Sequence, residues 1–172
     1  MSRYTLFVGG VHGSGKSHFS RLLREEIICD YISASSLLHW TTIDKTVKNV
    51  DANQQLLATL LPEALRADKV FLIDGHFALW NKEGIVELVS PIVFEACHPN
   101  VMLCIVCNSD VITERLRDRD GINYSHEVIE QLQSNEVLHA KMMAERLNLP
   151  LFIVDSTDEI AMKKIIKVMC VH

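Results

Sequence analysis

Gly10-Val-His-Gly-Ser-Gly-Lys-Ser17 follows the apolar run Thr5-Leu-Phe-Val8 and leads directly into a segment of helical period. The octapeptide fits G-x-x-x-x-G-K-[ST], and its position between a strand and a helix is the context in which that pattern binds phosphate. Glycines at 10, 13 and 15 permit positive φ angles and close backbone approach. Successive amides, that of Ser14 included, can then turn inward as an anion nest at a helix N-terminus. Lys16 is placed to reach the β and γ phosphates, and Ser17 to offer its hydroxyl to Mg²⁺. A bare glycine-rich turn needs neither the lysine nor the serine. His12 within the loop is expected to face solvent rather than to act as a base, and His18 follows the loop among the residues around a bound nucleotide.

Outward from this loop, apolar runs recur at residues 69–73, 101–107 and 151–154, each followed by polar or glycine residues. They read as buried strands. Between them, residues 16–27 carry Phe19, Leu22 and Leu23 at helical spacing, and residues 125–147 carry Val128, Ile129, Leu132, Val137 and Leu138. Alternating strand and helix predicts a mostly parallel sheet covered on both faces, hence a three-layer α/β domain, with a short extra strand near residues 31–33. The 172 residues are expected to form one domain. Residues 40–55 are polar and weakly periodic, and a mobile excursion is expected there.

Composition narrows the function classes. A formal charge of -5 and a pI near 5.9 disfavour a nucleic-acid partner. Five cysteines, odd in number and mostly in apolar surroundings, suit a reducing, cytoplasmic setting. Cys104 and Cys107 form a CxxC, but inside an apolar strand with no second pair nearby, which argues against a metal or redox role. The N-terminal residues reach glycine before a signal-peptide core could form, and no apolar run spans a membrane, so neither secretion nor membrane insertion is expected.

Two further segments carry chemistry. Lys69-Val-Phe-Leu-Ile-Asp74-Gly-His76 ends an apolar run on a carboxylate, which beside the phosphate loop would hold Mg²⁺ through water or orient Ser17; a capping or turn aspartate is the bland alternative. His76 enters the same crevice, either to touch substrate or to tie down a loop. Residues 108–121 read as a helix with a glycine stop, placing Arg115 and Arg119 on one face and Arg117 away from it. Two such cations beside ATP can stack on the base and neutralise γ-phosphate charge; local pairing with Glu114, Asp118 and Asp120 is the alternative.

With these residues in hand, the chain resembles the adenylate-kinase-like P-loop kinases, the nucleoside monophosphate kinases and especially the short-lid adenylate kinases of archaeal and eukaryotic nuclear type. The resemblance rests on residues 10–17, on Ile32-Ser-Ala-Ser-Ser-Leu-Leu38, on Ile73-Asp-Gly-His76 and on Glu114-Arg-Leu-Arg-Asp-Arg119, and it continues through Ser134-Asn-Glu136 to the strand at residues 149–154. It implies a five-stranded parallel sheet ordered 2-3-1-4-5, an acceptor-binding excursion at residues 34–66 and a short lid at 119–125. It also implies packing of Arg115 on the ATP base and contact of Arg119 with phosphates. Where many adenylate kinases read Ile-Ser-Thr-Gly-Asp-Leu-Leu-Arg, this chain has Ser35, Ser36 and His39, so the acidic residue and the acceptor-phosphate arginine are absent. Ser36, His39, Gln54 and His76 are the candidate acceptor contacts, with Lys45, Lys48 and Arg66 the cations in that stretch and Trp40, Phe77 and Trp80 possible aromatic platforms.

The leading expectation is a Mg²⁺- and ATP-dependent phosphotransferase in which Lys16, Asp74 and Arg119 are catalytic and a nucleoside monophosphate or related small molecule accepts the phosphoryl group. A nucleoside, sugar or other hydroxyl acceptor would require a base such as Asp74 or His76. The alternative is an ATP-binding regulatory or assembly protein that signals to a protein partner. A guanine-specific switch is disfavoured, since no Asn-Lys-x-Asp signature follows the expected strand. A homodimer through the apolar stretch at residues 85–94 is conceivable; the same residues could be core.

Overall fold

Leu6, Phe7 and Val8 point alternately to the two faces of the first strand, and both faces are buried. In the computed structural model, which describes residues 2–41, 50–81 and 83–169 (of residues 39–41 and 50 only the backbone), that strand is β1 (Tyr4–Gly9). It lies at the centre of a parallel sheet with β2 (Asp30–Ser33), β3 (Val70–Asp74), β6 (Val101–Val106) and β7 (Leu151–Asp155) in the order β2-β3-β1-β6-β7. Counted within this sheet alone, the order is the expected 2-3-1-4-5. The labels differ because an antiparallel hairpin, β4 (Ala78–Trp80) and β5 (Val86–Leu88), intervenes outside it.

Helices cover both faces. Leu6, Val8, Leu103 and Ile105 pack beneath α1 (Lys16–Glu26) and α7 (Glu159–Met169) through Phe19, Leu23, Met162 and Ile166. Phe7, Ile73, Met102 and Cys104 face α3 (Val50–Ala64), α4 (Pro91–Cys97) and α6 (His126–Leu147) through Leu57, Leu61, Phe94, Ala140 and Met143. A third cluster closes the sheet's C-terminal end, where Val11 of the loop meets Ile112 and Leu116 of α5 (Ser109–Asp120) and Ile129 and Leu132 of α6. Local chemistry sets the ends of α5: Asn108 accepts from the Asp110 N–H at 2.8 Å, and Gly121 closes the helix at φ 69°.

The polar stretch at residues 40–55 differs from expectation in its second half. Residues 50–55 are the opening turns of α3, whose Gln54, Leu57 and Leu61 are buried; the helix is specified by its apolar residues beyond position 55, and its polar start rides on them. Residues 42–49, with Lys45 and Lys48, lie outside the described residues, as do the side chains of His39 and Trp40. In the stretch considered for dimerisation, Val89, Val93 and Phe94 are core, leaving Ile85 and Leu88 exposed. Cys104 and Cys107 are buried free thiols, and burial pushes that of Cys104 up to about 12. No helix among the described residues is long and apolar enough to cross a membrane.

Candidate functional site

The turn from β1 into α1 has the backbone its glycines permit: φ is 144° at Gly10, 82° at Gly13 and 104° at Gly15. Close packing demands glycine as much as the dihedrals do. A Cβ on Gly10 would sit 2.4 Å from the Ile105 carbonyl oxygen, and one on Gly15 would sit 2.6 Å from Ser156 Cβ. α1 opens on Gly15 with no side-chain cap and no acidic residue in its first turn, so among the described residues no side chain answers its N–H groups or the positive end of its dipole.

This helix end forms one wall of a cavity of about 770 Å³ at the C-terminal ends of β1, β2 and β3. His12, Gly13, Gly15, Lys16, Ser17 and His18 line it from the loop and α1, Arg115 and Arg119 from α5, Asp74 and His76 from the end of β3, and Gln54 from α3. Thus these eleven residues, all singled out in the sequence, share one cavity, among them all three candidate catalytic groups. Gly10 and Ser14 stand behind it. Lys16 Nζ donates to the Gly10 carbonyl oxygen at 2.6 Å, and Ser14 is fully buried. Ser36 does not line this cavity but a smaller cleft with Arg24 and Tyr31, and its neighbour Ser35 takes the cavity-facing position. The His39 side chain is outside the described residues. Phe77 is core, whereas Trp80 lines the cavity and stacks on Tyr124 with ring centroids 5.3 Å apart.

Electrostatics follow from burial. Lys16 is 8% exposed; desolvation lowers its pKa, opposed chiefly by Asp74 and then Glu136. Asp74 Oδ2 accepts from the Tyr31 hydroxyl at 2.6 Å, and Tyr31 is held protonated above its usual range by burial and by this bond. The His12 and His76 rings lie 4.5 Å apart. Burial lowers His76 to about 3, with Lys16 adding to the effect. His12 is open to the cavity yet inside its walls, and desolvation, His76 and Lys16 lower it to about 4. Both imidazoles are therefore neutral near pH 7. Arg115 Nη1 donates to the Gly13 carbonyl at 2.9 Å, clamping α5 to the loop, while Arg119 makes a bidentate pair with Asp120.

Two residues to which the sequence reading assigned no role belong to this assembly. Glu136 of α6 is fully buried; Oε2 accepts from the Phe77 N–H at 2.6 Å, and Oε1 shares a hydrogen bond with His76 Nδ1 at 3.1 Å. Burial raises its carboxyl to about 7, against the pull of the Phe77 N–H and Lys16. Ser156, just past β7, lines the cavity against Gly15, and its buried hydroxyl has no partner among the described residues. Its position just past an apolar run was the available signal, although β7, at the sheet's edge, buries only Val154 rather than the whole run the sequence suggested. For Glu136 the signal was its place in the Ser134-Asn-Glu136 stretch of the family resemblance, since by composition a glutamate on a mixed helix reads as solvated.

The cavity has hard-oxygen donors for a divalent cation in Ser17 and Asp74, few enough to suit Mg²⁺, which keeps several waters and binds phosphate oxygens. No group of three or more His, Cys, Asp or Glu side chains among the described residues could hold a metal by itself.

The sequence profile of the AAA domain family matches residues 9–133, which takes in the phosphate loop, Asp74, both cavity arginines and the start of α6. The chain belongs to the AAA domain family. As a member it is a P-loop, nucleotide-dependent protein of kinase-like type. No curated protein sequence matches this AAA-domain chain. Among solved structures, an uncharacterized protein from Eubacterium ventriosum ATCC 27560 superposes with a TM-score of 0.56 at 14% identity, covering 98% of this chain and 99% of that one. A gluconokinase from Sinorhizobium meliloti 1021 superposes with a TM-score of 0.55 at 13% identity, covering 96% and 95%. At such identities the likeness is one of fold.

Proposed function

We propose that this AAA-domain protein is a Mg²⁺- and ATP-dependent phosphotransferase acting on a small molecule. The observation that carries the reading is the convergence on one cavity of an uncapped helix N-terminus, Lys16, Arg115, Arg119 and Asp74, contributed by three separate elements and the loop. Phosphoryl transfer needs little beyond positioning and charge stabilisation, and these groups supply both. The loop amides cradle the β and γ phosphates. Lys16 exchanges the Gly10 carbonyl for them, and Arg115, which bonds the loop at Gly13, takes the role the short-lid kinase resemblance implies, packing on the ATP base. Arg119, released from Asp120, meets the moving phosphoryl group. Ser17 and, through water, Asp74 would hold Mg²⁺, which supplies charge neutralisation at the β and γ phosphates when bound.

The fold shared with a gluconokinase supports a kinase rather than a switch protein. The short-lid kinase resemblance by itself would suggest a nucleoside monophosphate or a related small acceptor, and the chemistry of the cavity away from the loop bears on the choice between a phosphorylated and an uncharged one. The test is incubation of the purified protein with Mg·ATP and candidate acceptors, with Lys16→Ala as control. ADP and a phosphorylated acceptor appearing together, and lost in the variant, are expected. Acceptor-independent hydrolysis alone would sink the kinase reading in favour of a nucleotide-gated partner protein.

A further inference from the structure

The cavity has two chemically distinct ends. Around the loop its lining is cationic or amide-rich: Lys16, Arg115 and Arg119, with the backbone of Gly13 and Gly15. Away from the loop, between β1, α2 (Ala34–Thr41), α3 and the β4–β5 hairpin, it is walled by Phe7, Leu38, Leu57, Leu79, Val89 and Val93. Among the described residues the polar groups there are Ser33, Ser35, Asn53 and Gln54, all uncharged. Ser33 Oγ and Ser35 Oγ share a hydrogen bond at 2.9 Å, and the Gln54 amide oxygen accepts from the Ser90 N–H, which fixes the amide so that its NH₂ remains as donor. Between the two ends stands Asp74, with Oδ2 on the Tyr31 hydroxyl and a second carboxylate oxygen to spare.

Resting on the phosphotransferase reading, we propose that the acceptor is an uncharged alcohol with a largely apolar body. The body lies against the Phe7, Leu57 and Val93 wall, and the hydroxyl sits beside Asp74. A phosphate-bearing acceptor would have to surrender its hydration to six apolar side chains and approach a carboxylate of its own sign. Among the described residues every cation lining the cavity comes from the loop or α5, where the donor's phosphates neutralise it. An uncharged alcohol meets neither penalty, gains from burial of its apolar surface, and has amide and hydroxyl partners for its remaining polar groups.

In the transfer, the alcohol oxygen forms a bond to the γ-phosphorus as the bond from that phosphorus to the β–γ bridging oxygen breaks, its electron pair staying with ADP. The alcohol's proton passes to the Asp74 carboxylate and from there to solvent. The product, a phosphate monoester, carries new negative charge beside Asp74, which favours its release.

The experiment uses the full chain, Lys45 and Lys48 included, with Mg·ATP labelled at the γ position. Acceptors are matched pairs, each an alcohol and its own phosphate monoester: nucleosides, polyols, and aryl and alkyl alcohols. Binding of a fluorescent ATP analogue, compared between wild type and Lys16→Ala, runs alongside. The expected result is label transferred to an uncharged member with KM at least about tenfold below that of its monoester. Asp74→Asn should lower kcat while the ATP analogue still binds. Preference for the monoester within a pair, or Lys16-dependent ATP binding with no uncharged member labelled, overturns the proposal and leaves the nucleotide site intact. Wild-type kcat in Asp74→Asn overturns the assignment of the proton to Asp74. Absence of Lys16-dependent ATP binding brings down the phosphotransferase reading itself.

Discussion

The Glu136 carboxylate accepts the backbone N–H of Phe77 at 2.6 Å, across 59 positions of sequence, and so anchors the chain where it leaves β3 three residues after Asp74. Its other oxygen holds the His76 ring, which lies against His12 of the phosphate loop. Glu136→Ala leaves the buried Phe77 N–H without an acceptor and is expected to cost about 1–3 kcal/mol in urea unfolding. Glu136→Gln keeps a carbonyl acceptor there and should cost less. Equal losses for both would show that charge, and not the acceptor, matters.

Gly15→Ala places a methyl group 2.6 Å from Ser156 Cβ at a φ of 104°, so steric overlap and backbone strain add. Destabilisation of about 2–4 kcal/mol is expected. The neighbouring atoms are Cβ and Oγ of Ser156, so Ser156→Gly in the same chain should recover the overlap and leave only the φ penalty. A double-mutant cycle with no coupling would refute the contact.

Lys16→Met separates stability from binding. Burial opposes the charge on Lys16, and a methionine of similar length should leave the thermal midpoint of the nucleotide-free protein no lower than that of wild type. The rise in midpoint on adding Mg·ATP should disappear in the variant. A nucleotide-free protein that unfolds several degrees earlier would mean that the bond to the Gly10 carbonyl, rather than phosphate binding, is the main role of the lysine.

The two arginines of α5 should differ in kinetics. Arg115, which bonds the loop at Gly13, is expected to act through nucleotide binding: Arg115→Ala raises KM for ATP with kcat little changed. Arg119→Ala is expected to lower kcat by about 10²–10³. Steady-state kinetics on the labelled acceptor reads both, and a kcat effect confined to Arg115 would reverse the assignment.

Acid stability should depend on the histidine pair and Glu136 in opposite senses. His76 and His12 are lowered to about 3 and about 4 from 6.5, so the unfolded chain binds more protons, and stability falls as pH drops below about 6.5. Glu136 is raised from 4.5 to about 7, so its folded form keeps a proton that the unfolded chain loses, and its contribution is lost as pH rises through that window. Glu136→Gln removes this opposing slope. Its thermal midpoint should fall more steeply than that of wild type between pH 7 and 5; parallel profiles would show that Glu136 is ionised across the range.

What the sequence by itself determined lies within short spans of chain. The loop at residues 10–17, the four long apolar strands and the Arg115 and Arg119 face are legible because glycine dihedrals, unbroken apolar runs and helical spacing act between near neighbours. Their order in the sheet came from resemblance. Tertiary structure alone decided the rest. The start of α3 owes its burial to Leu57 and Leu61 docking on the sheet, the β4–β5 hairpin pairs residues with no long strand signal, and Ser35 rather than Ser36 faces the cavity because of how α2 settles on β2. Glu136 is the sharpest instance. A carboxylate on a helix is hydrophilic by composition, and only the approach of the Phe77 amide and His76 from a distant part of the chain made a fully buried position tolerable for it.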